Sequence, residues 1–87
     1  MIVDIVTRKL SPGITAITFK GRLVLGNRLT EVEHAIREHI RQGSRKLVLD
    51  FSGLDFIDSA GVGVLAVCVG SMEREGGKIA IAGATAG

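Results

Sequence analysis

The chain has no Trp, no Tyr and only three Phe. A core must therefore be assembled from Ile, Val, Leu and Ala, and the aromatic rings of a base-stacking platform are missing. There is one Cys, Cys68, in an apolar run, which excludes a disulfide framework and a cysteine metal cluster. Basic residues form no block: 11 Lys and Arg are interspersed with 9 Asp and Glu, for a net charge of +2. A slight excess of Arg is the simplest reading, and no nucleic-acid partner is expected. No apolar run is long enough to cross a membrane. The longest, residues 60–72, falls short of the ~20 residues a spanning helix needs and is broken by Gly and Ser. At the start, Asp4 interrupts the apolar residues and Arg8 and Lys9 follow, so no signal peptide is read and a cytoplasmic location is expected.

What is present suits one small α/β domain spanning residues 1–87, with 46% apolar and 23% charged residues. A chain of this size buries about 60–65% of the surface its unfolded form exposes, so modest stability is expected. Residues 2–10 are rich in β-branched types and predict a strand. Ser11, Pro12 and Gly13 predict a tight turn and residues 14–20 a second strand, together an antiparallel hairpin.

A connection over residues 21–26 leads to a helix, with Asn27 or Thr30 as its cap and Asn27 the better-placed start. Leu25, Leu29, Val32, Ile36 and Ile40 recur at spacings of 4, 3, 4 and 4 and predict one apolar stripe. Arg28, Glu31, His34, Arg37, Glu38 and Arg41 lie opposite, the pattern of a solvated face. Glu33 and Arg37 stand four apart in the favourable order, and Gly43 is a natural stop. His34 and His39 read as surface residues.

Residues 46–51 are a strand of the kind buried on both faces of a parallel sheet. A short acidic, glycine-containing connection follows, and then a second helix over residues 59–75, ended by Gly76 and Gly77. Residues 78–83 make a last strand. The order β-β-α-β-α-β predicts a mixed sheet: a hairpin, then parallel units with right-handed crossovers. The second helix is apolar nearly all round. Such a helix is normally covered on more than one side, so self-association through it, as a homodimer, is expected.

Candidate chemistry is sparse. Gly61, Gly63 and Ala66 fit G-x-G-x-x-A, the outline of a dinucleotide loop, but the following strand supplies no acidic residue for a ribose. There is no P-loop and no G-x-S-x-G around Ser59. Asp50, Asp55 and Asp58 lack a metal-ligand spacing, so neither metal nor cofactor is expected. Cys68 has no neighbouring base and reads as a small core residue. Asp58 and Ser59 remain. Either suits a helix N-cap. A hydroxyl in that position is also exposed, and a phosphate on it would meet the positive end of the helix dipole. Gly61 and Gly63 would let another backbone or a nucleotide approach closely.

Residues 48–65, VLDFSGLDFIDSAGVGVL, resemble the signature of STAS domains, above all those of bacterial anti-sigma factor antagonists. Gly21-Arg22-Leu23 and Gly76-Gly77-Lys78 extend the resemblance over most of the chain. It implies a binding module, not an enzyme. An anti-sigma factor serine kinase, using ATP and magnesium, would phosphorylate Ser59; the unmodified form would bind that kinase and free a sigma factor; a phosphatase would restore the hydroxyl. Asp58, Ser59, Ala60, Gly61, Val62 and Gly63 would form the contact surface. STAS domains usually continue with further helical structure beyond the strand matching residues 78–83, whereas this sequence stops at Gly87. The expectation is a C-terminally short STAS domain: a truncated chain, a minimal variant, or one whose gap a dimer covers. Two other functions are weighed: a STAS subunit that does not switch, of stressosome type or attached to a lipid ABC transporter, and a nucleotide-binding domain.

Overall fold

The computed structural model describes residues 4–26 and 28–83. Its elements are β1 (Asp4–Ser11), β2 (Ile14–Leu23), α1 (Leu29–Arg41), β3 (Lys46–Ile57), α2 (Ser59–Arg74) and β4 (Lys78–Ala82). They form one four-stranded sheet in the order β1-β2-β3-β4. β1 and β2 are antiparallel, with Ile5 opposite Phe19 and Thr7 opposite Ile17. Pro12 and Gly13 make the turn, Gly13 at φ +79° as the tight connection requires. β2, β3 and β4 run parallel, so Ile17, Leu49 and Ile81 stand in one row. The expected β-β-α-β-α-β order and mixed sheet are therefore found.

Both crossovers step in the same direction along the sheet. With the same hand, they place both helices on the same face. One core results, built from Ile17, Phe19, Leu23, Leu47 and Leu49 of the sheet, Val32 and Ile36 of α1, and Leu65, Cys68 and Met72 of α2. Cys68 is buried there, and desolvation, followed by the charge of Glu33, pushes its thiol up to about 11. It is an inert packing group. Phe19 and Phe51 meet edge-on at 5.7 Å.

The structure departs from the sequence expectations in four places. Leu25 does not join the stripe of α1: it is 77% exposed, and the stripe begins at Leu29. The helix enters through Arg28, which is left-handed at φ 64° and makes no side-chain cap; its carbonyl receives Glu31 N and Val32 N, and its guanidinium pairs with Glu31. Thr30 lies inside the helix, and Asn27 is outside the described residues. β2 and β3 are longer than expected. The acidic connection over residues 52–57 is strand, paired with β2 as far as Leu23 opposite Ile57. Two bulges accommodate it, each giving β3 one extra residue. Finally, β3 is fully covered on one face only. Leu47 and Leu49 are buried, but Val48 and Asp50 on the other face are only half-buried, because no described helix crosses there.

Candidate functional site

β3 ends where α2 begins, and the junction is held by Asp58. Its backbone is extended and its side chain caps α2: Oδ1 accepts from Gly61 N at 2.9 Å. The second oxygen, Oδ2, accepts from Leu25 N at 3.0 Å, in the connection between β2 and α1. One carboxylate thus ties two loops at the same end of the sheet. These two amide bonds, Gly61 first, hold the Asp58 carboxyl below its usual range.

Ser59 is the first residue of α2 and is exposed. Ala60 is half-buried and packs against the core. Gly61 is buried: a Cβ there would lie 2.3 Å from the Leu23 carbonyl oxygen and 2.8 Å from Ile57 Cγ1. Its missing side chain lets α2 press against the end of β2, within the same chain. Gly63 is the opposite case, exposed and with open space around its Cα. Val62 is 54% exposed. Of the six residues that the sequence points to, Ser59, Val62 and Gly63 face outward, while Asp58, Ala60 and Gly61 build the support beneath them. The Gly61-x-Gly63 pair does not form a phosphate cradle, since its first glycine is used up by the Leu23 carbonyl.

Three residues around this junction, Leu25, Arg22 and Phe56, are not among the site residues that the sequence points to. Leu25 is joined to Asp58 only by tertiary structure. Phe56 is 51% exposed, and Arg22 lies over its ring at 5.2 Å, a cation–π pairing created by the bulged register of β2 and β3. Leu25, Phe56 and Val62 therefore give the Ser59 end of the molecule an exposed apolar rim. This is the carboxyl end of the parallel strands, where open α/β sheets place their binding sites.

The STAS domain family model matches residues 6–86. The chain belongs to the STAS domain family. Among solved structures, the STAS chain is similar to the anti-sigma factor antagonist SpoIIAA in its unphosphorylated form, with a TM-score of 0.76 and 22% identity over 90% of this chain and 71% of that one. An anti-sigma factor antagonist from Mycobacterium paratuberculosis gives a TM-score of 0.77 at 19% identity, covering 91% of this chain and 65% of that one. Mglu gives 0.74 at 21% identity, covering 87% of this chain and 18% of that one. At these identities the likeness is one of fold. No curated protein matches the chain in sequence. No helix among the described residues is long and apolar enough to cross a membrane.

Proposed function

We propose that this STAS domain is a cytoplasmic anti-sigma factor antagonist, a binding module without catalysis of its own, switched by phosphorylation of Ser59. The observation that carries the reading is the exposed Ser59 hydroxyl at the first position of α2, beside a carboxylate that secures two loops. An anti-sigma factor serine kinase would transfer the γ-phosphoryl group of ATP to the Ser59 oxygen. ADP leaves, and the hydroxyl proton goes to a base on the kinase. A phosphatase reverses the step by hydrolysis.

The added charge of about −1.5 to −2 would stand next to Asp58, whose oxygens already hold Gly61 N and Leu25 N. Repulsion between the two anions weakens the tie to Leu25 and changes the rim formed by Leu25, Phe56 and Val62. The unmodified rim is the form that binds the kinase and releases the sigma factor. The contact surface is then Ser59, Val62 and Gly63 with that rim, on a base of Asp58, Ala60 and Gly61.

Incubation with the cognate kinase and ATP, followed by mass-spectrometric mapping, is expected to place one phosphate on Ser59. The Ser59→Asp variant is expected to lose kinase affinity, and Ser59→Ala to keep it. Absence of label on Ser59 together with undiminished affinity of Ser59→Asp would falsify the reading. A second reading, a STAS subunit of a larger assembly or homodimer that does not switch, is favoured by the outer side of α2, where Val62 and Val67 are exposed. Light scattering at high concentration separates the two: a concentration-independent monomer mass counts against assembly.

A further inference from the structure

The end of the molecule opposite Ser59 carries a different kind of surface. α1 and α2 both finish there, next to the starts of β3 and β4, where Lys78 N donates to Arg45 O. Between the helix ends lies a groove of about 440 Å³ whose lining includes Arg37, Arg41, Arg45, Arg74, Ser71 and Glu75. Four arginines and one glutamate thus line the groove.

Compensation of the helix dipoles accounts for part of this. Arg41 and Arg74 stand in the last turns of their helices, where a cation is favourable. Arg45, in the connection beyond α1, also serves that end by donating to the Ile40 carbonyl, but compensation does not account for Arg37, a full turn earlier. The four arginines differ in how firmly they are held. Arg37 pairs along α1 with Glu33 in an exposed ion pair, which is weak and exchanges partners readily, whereas Arg41 is held by both oxygens of Glu38. Arg45 reaches Glu75 only at 3.6 Å, while its Nη1 is steadied by the Ile40 and Ser44 carbonyls. Arg74 donates to the neutral Ser71 hydroxyl.

We propose that this groove binds a compact ligand bearing several phosphate groups, bridged between Arg74 on α2 and Arg45 beyond α1, with Arg37 and Arg41 on the wall. The volume lies in the range of small-molecule clefts. The guanidinium fork matches phosphate oxygens two at a time. An occupant here leaves Ser59 uncovered, so the site is independent of the switch.

The test uses the full chain, labelled with ¹⁵N and titrated with tripolyphosphate. Saturable amide shifts confined to the ends of α1 and α2 are expected. Arg74→Gln and Arg45→Gln are each expected to weaken binding about 10-fold with the spectrum of the free protein otherwise unchanged. Arg8→Gln, which removes the same charge from β1, is expected to leave binding as it is. Shifts that fail to saturate, shifts centred on the start of α2, or an equal loss in Arg8→Gln would overturn the proposal. Flotation with phosphatidylcholine vesicles, with and without a phosphoinositide, identifies the source of the phosphates. Vesicle capture abolished by Arg74→Gln assigns a lipid headgroup; tripolyphosphate binding without capture assigns a soluble ligand; neither kind of binding overturns the site.

Discussion

The two helices lie side by side on one face of one sheet, yet they solve the solvent problem in opposite ways. α1 buries Leu29, Val32, Ile36 and Ile40 and turns charge outward, with Glu33 and Arg37 paired at 3.1 Å and Glu38 joined to Arg41. α2 buries Gly61, Leu65, Cys68 and Met72, also three and four residues apart, but leaves Val62 and Val67 about half exposed, at 54% and 45%. The outer side of α1 is a finished surface. The outer side of α2 is apolar and begins at the Ser59 junction. Burial stripes alone therefore do not distinguish a helix with a charged outer side from one with an apolar outer side; the outward residues do.

The contrast is tested most severely at two aliphatic positions. Ile36→Ala, at a fully buried site on α1, is expected to cost about 3 kcal/mol in urea unfolding. Val67→Ala on α2 is expected to cost less than about 0.5 kcal/mol. A large loss for Val67→Ala would show that its face is covered in solution.

The next effect separates two glycines on α2 itself. Gly61→Ala drives a Cβ into the Leu23 carbonyl and is expected to cost about 2 kcal/mol. Gly63→Ala meets nothing and is expected to stabilise by roughly 0.5–1 kcal/mol, because Ala loses less backbone entropy than Gly on entering a helix. Equal responses would mean that the two positions do not differ as described.

A smaller effect tests the cap of α2, for which α1 has no side-chain counterpart. Because Asp58 has a lowered carboxyl pKa in the folded protein, its contribution is present above the ordinary carboxylate value near pH 4. It is lost as pH falls through the lowered native value. Asp58→Ala is therefore expected to lower the thermal midpoint at neutral pH by a few degrees, with the gap to wild type closing on acidification. A gap that stays constant with pH would remove the carboxylate from that account.

The smallest expected effect lies on the outer side of α1. Glu33→Gln breaks an exposed pair of side chains and is expected to change stability by about 0.3 kcal/mol, an effect that added salt should reduce further.

Much of the fold is legible in the amino-acid order. β-branched runs, Pro12 with Gly13, the stripe from Leu29 to Ile40, and the stops at Gly43 and Gly76 are local signals, because strand alternation, turn φ values and helix spacing are properties of neighbouring residues. Asp58 is readable as a cap for the same reason. The bulges of β3 are not, since they arise from a register with β2 more than 30 residues away in sequence. Spacing alone misplaces Leu25, which fits the helical stripe, whereas the left-handed Arg28 starts the helix after it.

Local spacing therefore sets the order of elements and the core stripes, and the resemblance of residues 48–65 to the STAS signature singles out the hydroxyl at Ser59. Tertiary structure alone decides that Asp58 holds Leu25 as well as α2 and that Gly61 turns inward while Gly63 turns outward. It alone gathers four arginines at the far end. Each of these depends on which distant segments the sheet brings together, and contact between distant segments leaves no periodic trace in a single chain.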